Sequence, residues 1–304
     1  MVEDLTGQAS SPLAPTRWAP VAVPWPKPYV AVGIYAVPDQ VRRVADSQLP
    51  PDDDQWREYL ARPDNLVKFG RRVFTHIPSS PRCRLCAAPF AGPGAPMMHL
   101  IGKRPSDGNP NFCTSCEKNL LRHHGGAEVE GSMLFADIRG STSLAEKMSP
   151  SAFAELIERF YRVASQSMFE HDGMIDKFVG DELVAIFYPA VSGARHAERA
   201  VEAARALLHA TGHGQPNGPW VPIGAGVHTG RAWFGAVGDS AHVELTALGD
   251  PVNTTARLAA AAQGGEIIVS RTAADAAGLD PSLPRTSLTL KGKGAPVEVV
   301  VLRA

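Results

Sequence analysis

The stretch MIDKFVGDELVAIF, Met174–Phe187, reads as a strand, a turn at Val179-Gly180 and a second strand, because β-branched and aromatic residues surround a single glycine. It also carries Asp176, Lys177 and Asp181 inside an otherwise apolar run. Charges in a half-buried hairpin cost free energy unless they are paired or used. Asp181 follows the turn directly, where a carboxylate can meet another one brought to the same edge. Asp176 reads as a flank of the hairpin with no catalytic role.

Helices bracket this hairpin. Before it, "SPSAFAELIERFYRVASQSMFEHDG" opens with Ser149 as N-cap and Pro150 in the first turn, and it leaves through Gly173. Phe153, Leu156, Ile157, Phe160, Ala164, Ser167 and Met168 recur at the spacing of one buried helical face. After it, "ARHAERAVEAARALLHA" repeats that spacing through Ala200, Val201, Ala204, Leu207 and Leu208. Upstream, "SMLFADI" is a short apolar strand ending in Asp137. Downstream, "PIGAGVHTG" and "RAWFGAVG" form a strand pair, and "GDPVNTTARLAAAA" is a helix with Asp250 at the N-cap. "GEIIVS" is a strand, and "LTLKGKGAPVEVVVL" is a closing hairpin. The order predicts a ferredoxin-like βαββαβ, α+β sheet with its helices on one face.

Composition bounds the rest. A 304-residue chain that is 44% hydrophobic can bury a substantial core, and its formal net charge of −1 gives no global pull toward nucleic acid or an anionic membrane. Residues 1–28 read as a flexible Pro-rich leader and 29–76 as a mostly helical connecting segment interrupted at Pro63. "YVAVGIYAV" is too short to span a bilayer, and the N-terminus lacks the pattern of a secretory signal, so no membrane is expected and the chain is placed in the cytoplasm.

Cys83 and Cys86 in "CRLC" and Cys113 and Cys116 in "CTSC" define a cysteine module over 77–124, followed by a linker, "HHGGAEVEGS". Two C-x2-C pairs in this compartment read as metal ligands rather than structural disulfides. The second pair runs into a helix, as in a treble clef. Structural Zn2+ fits four thiolates; an iron-sulfur cluster and free thiols are the alternatives. His99, His123 and His124 are spare candidates, read as surface residues. Between Leu66 and His124 nine Lys or Arg face two acids, but without stacking aromatics or a reading helix no nucleic-acid partner is expected.

Three motifs stand in order: F-A-D-I-x-G-S-T around Asp137, K-F-V-G-D with Asp181 forty-four residues later, and A-L-G-D-P-V-N-T-x-A-R-L. Together they resemble the catalytic domain of class III adenylyl and guanylyl cyclases, over 128–304. The resemblance implies that Asp137 and Asp181, with the Ile138 carbonyl, bind two Mg2+ or Mn2+ ions. It implies a head-to-tail homodimer with each active site at the interface. Asn253 would orient the ribose and Arg257 would stabilise the α-phosphoryl group; their spacing places both on one helix face. Lys177 matches the base-recognising lysine. Thr246 stands at the second base-reading position, as in the class IIIb subgroup, which favours ATP. Lys291 and Lys293 flank the closing bend, and one of them resembles a phosphate-contacting lysine. Gly224 departs from the family, since many members have an arginine there. The expected function is an adenylyl cyclase regulated by the cysteine module; the rivals are a guanylyl cyclase and a catalytically silent cyclase-like binding module.

Overall fold

The computed structural model describes residues 54–61, 65–79, 81–122, 125–238 and 243–304, all within one compact unit. The leader, residues 29–53 of the connecting segment, His123 and His124 lie outside the described residues. In chain order the elements are α1 Asp54–Ala61, α2 Asn65–Thr75, α3 Ala95–Leu100, α4 Thr114–Arg122, β1 Gly125–Ile138, α5 Ser141–Lys147 and α6 Pro150–Glu170. There follow β2 Met174–Val179, β3 Glu182–Phe187, α7 Pro189–Ser192, α8 His196–Ala210, β4 Ile223–Gly238 and β5 Val243–Leu248. The last elements are α9 Asp250–Ala261, β6 Glu266–Ser270, α10 Arg271–Ala276, β7 Arg285–Leu288 and β8 Val297–Arg303. None of these helices is long and apolar enough to cross a membrane.

The fold is α+β, built on one eight-stranded sheet in the order β2-β3-β1-β4-β6-β8-β7, with β5 pairing the far end of β4. Strand pairs are antiparallel except β4 with β6. The embedded βαββαβ runs from β1 to β4. Helix α6 begins as its sequence dictates, with the Ser149 hydroxyl accepting from the Ala152 amide.

Alternation along β1 and β4 separates two cores. Leu134, Ala136, Ile138, Ile223, Ala225 and Val227 pack with Phe160, Met168, Val201 and Leu207 from α6 and α8. On the opposite face Met133, Phe135 and Val184 meet Ala259 of α9. Ala127, Val129, Ala232, Phe234 and Leu245 share a further cluster with Leu60, Leu85, Phe112 and three of the cysteines. Helices therefore cover both faces, not one. The α9 face is apolar on one side like α6, and a period alone cannot tell which side of a sheet an amphipathic helix takes.

Glycine accounts for two further corrections. "GGAEVEGS" is not a linker but the first half of β1, a strand of 14 residues. A Cβ on Gly126 would lie 2.3 Å from the Phe234 carbonyl oxygen, so the glycines are there for close approach between strands. Likewise β4 runs unbroken for 16 residues through Gly230, which packs against the Pro251 ring and makes no turn. The β2–β3 turn is Gly180-Asp181, one residue later than the sequence reading, with Val179 paired to Glu182 and Gly180 at φ +62°. Gly249, not Asp250, caps α9.

Candidate active site and cysteine cluster

The first group of site residues forms where β1 ends. Asp137 pairs in register with Glu182, and the Ile138 amide donates to the Asp181 carbonyl at 3.4 Å, so the hairpin turn folds Asp181 beside Asp137. The turn is braced from α6: Tyr161 stacks on Phe178 with ring centroids 4.0 Å apart and donates its hydroxyl to the Gly180 carbonyl at 2.5 Å. Burial and the adjoining Asp181 carboxylate push the Asp137 carboxyl up to about 7, although Arg139 at 3.0 Å pulls it the other way. Burial and Asp181 raise Glu182 as well. Converging carboxylate oxygens at one sheet edge are a donor set suited to a hard divalent cation.

Gly224 lies opposite Asp137 on β4. A Cβ there would come within 2.9 Å of the Ala262 carbonyl oxygen and 2.9 Å of the Arg139 Nε. No side chain fits that position, and the Arg139 guanidinium occupies the adjoining space. Sequence reasoning missed Arg139, for its only signal was its place two residues after Asp137.

The second group forms where β2 approaches β5. The β2–β3 register shifts between Ile175 and Lys177, which makes Asp176 a bulged residue. Ile175 packs in the α6–α8 core. In an unbroken strand Lys177 would face that core too; the bulge turns it to the opposite face, in register with Val184. There the Lys177 ammonium lies 3.3 Å from Glu244 and 3.6 Å from Asp176. The Thr246 hydroxyl donates to Asp176 Oδ2 at 2.8 Å. Asp176, read from the sequence as a flank of the hairpin, has its side chain buried inside the same corner as Lys177 and Thr246.

The third group lies along α9. Asn253 is exposed and Arg257 half-buried on one helix face. The closing bend reaches this face, since Gly292 packs against the Arg257 guanidinium, which lies 3.2 Å from the position a Cβ would take. Lys291 and Lys293 flank that glycine. Lys293 pairs with Asp250 at the start of α9, while Lys291 is exposed. Among the described residues no hydrogen bond or ion pair joins the Asp137–Asp181 pair to Lys177, Thr246, Asn253 or Arg257.

The four cysteines converge. One ligand atom from each lies within 4.8 Å of all the others, and Cys86 Sγ is 3.7 Å from Cys113 Sγ. The Cys113 amide donates to Cys83 Sγ at 3.3 Å, and Lys103 Nζ lies 3.8 Å from Cys86 Sγ. Burial pushes the Cys83 thiol up. His99 takes no part in the cluster. Arg71, only 1% exposed, donates to the Leu85 carbonyl and, at 2.6 Å, to the Gly173 carbonyl, tying the CRLC loop to the exit of α6.

Two further hydrogen bonds run from this module to the corner that holds Lys177 and Thr246. Arg84, between the first two cysteines, donates to the Asp176 carbonyl at 2.6 Å. Asn109 donates to the Val243 carbonyl at 3.0 Å, where β5 begins. Each strand of the corner is therefore held at a backbone carbonyl by a side chain from the cysteine module. Nothing in the sequence spacing signals these bonds, which join residues far apart in the chain.

A family model described as the adenylate and guanylate cyclase catalytic domain matches residues 127–302, which begin after the last cysteine. Adenylate cyclase 1 of Rhizobium meliloti is 32% identical over 169 residues, 51% of this chain and 25% of that protein. The uncharacterized protein Rv1319c of Mycobacterium tuberculosis is 34% identical over 134 residues, 44% of this chain and 24% of that protein. The chain thus spans about a quarter of the length of these relatives. Among solved structures, the guanylyl cyclase Cya2 superposes with a TM-score of 0.51 at 27% identity, over 58% of this chain and 93% of that one. The adenylyl cyclase CyaB from P. aeruginosa superposes with a TM-score of 0.50 at 27% identity, over 59% and 96%. With the three motifs set out on one sheet and the family model covering more than half its length, the chain belongs to the family of the adenylate and guanylate cyclase catalytic domain.

Proposed function

We propose that the chain is an adenylyl cyclase, converting ATP to 3',5'-cyclic AMP and pyrophosphate as a homodimer, with a zinc-bound cysteine module that supports its base-reading corner. The observation that carries the choice of ATP is the pairing of Lys177 with a Thr246 hydroxyl whose proton goes to Asp176. Lysine only donates, which suits the adenine N1 acceptor, and the threonine oxygen accepts from the 6-amino group.

Asp137 and Asp181, with the Ile138 carbonyl, would hold two Mg2+ or Mn2+ ions, which when bound would supply charge neutralisation for the triphosphate and activation of the ribose 3'-hydroxyl. The raised proton affinity of Asp137, from burial and the adjoining Asp181, supports that assignment. The ribose 3'-hydroxyl gives up its proton to solvent as its oxygen bonds to the α-phosphorus, the bond from that phosphorus to the bridging oxygen breaks, and pyrophosphate leaves with that oxygen. Asn253 orients the ribose, and Arg257 faces the charge that develops on the α-phosphoryl oxygens. Lys291, Lys293 and Arg139 supply further positive charge toward the phosphates. Because the acids and the corner form separate groups within one chain, a head-to-tail dimer sets one protomer's acids against its partner's Lys177 and Thr246.

Zinc is favoured over an iron-sulfur cluster by the sulfur spacing. Four sulfurs about 2.3 Å from one tetrahedral ion stand about 3.8 Å apart, which matches the 3.7 Å between Cys86 and Cys113. A cluster of several irons would spread the thiolates further. Regulation through this module is supported by the Arg84 and Asn109 bonds to β2 and β5.

The test is to incubate the purified chain with Mn2+ or Mg2+ and either ATP or GTP and to quantify the cyclic products. Cyclic AMP as the main product is expected. No cyclic nucleotide with either metal would instead leave a silent binding module. Elemental analysis checks the metal: zinc at one ion per chain is expected, and iron with acid-labile sulfide would reverse that assignment.

One observation favours a second reading. The Glu244 carboxylate beside Lys177 offers an acceptor for the N1–H and 2-amino groups of guanine, so predominant cyclic GMP would assign the corner to a guanylyl cyclase.

A further inference from the structure

Asp176 is costly where it stands. Its side chain is only 4% exposed, one oxygen is bonded by Thr246, and the other has no hydrogen-bond partner although Lys177 lies 3.6 Å away. Burial raises its carboxyl, while Lys177 and the Thr246 hydrogen bond favour the ionised form. In the 2.8 Å bond between them Thr246 is the donor and Asp176 Oδ2 the acceptor, so the Thr246 proton points toward the carboxylate. A hydroxyl has one proton. Once that proton is committed to Asp176, the Thr246 oxygen meets anything approaching from the Lys177 side with lone pairs alone.

We propose that Asp176 is the positioning residue that sets base selectivity, by fixing the Thr246 hydroxyl as an obligate acceptor matched to the 6-amino group of adenine and opposed to the 6-oxygen of guanine. The proposal rests on the reading of Lys177 and Thr246 as base contacts. A 6-oxo base would set two acceptors face to face. For Thr246 to turn and donate outward, Asp176 would lose its hydrogen bond and remain a buried carboxylate with neither oxygen bonded. A site built around one hydrogen-bond polarity rejects the analogue of the opposite polarity because its own buried groups are then left unpaired. The bulge completes the device, since it presents Asp176 and Lys177, neighbours in sequence, to the same corner.

The test uses the full chain as wild type, Thr246→Val, Asp176→Asn and the double variant, with kcat/KM measured for ATP, GTP and purine riboside triphosphate, which carries hydrogen at position 6. Wild type is expected to prefer ATP over the 6-hydrogen analogue by on the order of tenfold. The side-chain amide introduced by Asp176→Asn can donate back to the hydroxyl, so this variant is expected to narrow the ATP-to-GTP ratio by a similar factor. In the Thr246→Val background Asp176→Asn should narrow it no further.

An equal loss for ATP and GTP in Asp176→Asn would make the residue merely structural and overturn the proposal. A further narrowing in the double variant would show that Asp176 does not act through Thr246, with the same consequence. If Thr246→Val leaves the ratio unchanged, the base-contact reading itself fails and takes the proposal with it. Should Asp176→Asn not fold, wild type turning over the 6-hydrogen analogue as well as ATP overturns the proposal without any variant.

Discussion

Replacing Arg84 with methionine keeps much of the packing volume of the side chain and removes its charge and donors. In the native chain the guanidinium donates at 2.6 Å to the Asp176 carbonyl, on the bulged residue of β2. A bulged residue leaves the ladder locally unpaired, so its carbonyl needs a partner from elsewhere. Burial lowers the proton affinity of the guanidinium, while Asp176 and Glu244 raise it, so a charged donor is held in a partly buried site between two acids. A hydrogen bond from a charged group contributes about 1.5–3 kcal/mol, and the unpaired carbonyl adds a desolvation cost. About 2 kcal/mol taken from the bulge alone shifts its equilibrium roughly 30-fold toward other arrangements of β2.

Those other arrangements misdirect Lys177, so kcat/KM for the nucleotide should fall about tenfold or more while zinc content stays at wild type. Arg82→Met is the control. Arg82 spends its guanidinium on the carbonyls of Phe74, Ile77 and Ala87, all on the cysteine side, and makes no bond to β2. Activity is read by chromatography of the cyclic product and stability by thermal unfolding. Stripping zinc with a chelator should cost wild type much of its activity and Arg84→Met little more than it has already lost. If Arg84→Met and Arg82→Met lose the same stability and both keep wild-type kcat/KM, the module does not reach the corner through Arg84 and the reasoning fails.

Asp137→Asn and Asp181→Asn should each abolish product, by a factor on the order of a thousand or more, without lowering the unfolding temperature, because each relieves a carboxylate pair that repels itself; a variant that keeps activity removes that residue from the site. Mixing inactive Lys177→Ala and Asp181→Ala chains should restore about a quarter of wild-type activity, since about half the dimers are mixed and each holds one intact site; no recovery would refute the shared-site dimer. His228 is held down by burial, and further by Lys293 against Asp250, from its ordinary 6.5 to about 4. Between those values the unfolded chain binds the proton and the folded chain does not, so stability falls as the pH drops from 6.5 to 4, by about 3 kcal/mol at most. His228→Gln should flatten denaturant midpoints over that range, and an unchanged slope would show that His228 does not carry it.

Much of the scaffold was legible because its signals are local. Ser149 starts α6 through a hydrogen bond within one turn and Pro150 through its fixed φ, and the C-x2-C spacing already implies a compact sulfur cluster. Glycine was ambiguous: Gly126 and Gly230 read as breaks because glycine relieves backbone strain, yet here they serve close packing, which depends on a partner strand or proline remote in sequence. The candidate site was read from the sequence as a set of residues, without their arrangement. Asp137, Asp181, Lys177, Thr246, Asn253 and Arg257 are each named by a motif, whereas the placement of Arg139, Arg84, Asn109 and Asp176 depends on which strands come together. No periodicity marks a bulge, because a bulge is the one place where the period breaks.

The charges of the β2–β3 hairpin follow from that break. In a regular strand a lysine two residues after Ile175 would point into the α6–α8 core beside it, a burial no ammonium could sustain unpaired, and Phe178 would point out of that core. Inserting one residue moves Lys177 to the other face and turns Phe178 into the core with Leu183. The inserted residue must then lie in a buried corner with a carbonyl outside the ladder. An aspartate meets the first condition by pairing with Thr246 and Lys177, and Arg84 meets the second. The bulge, the threonine hydrogen bond and the arginine from the cysteine loop are therefore one structural solution: removing any of them exposes an unpaired charge, an unpaired carbonyl or a buried lysine.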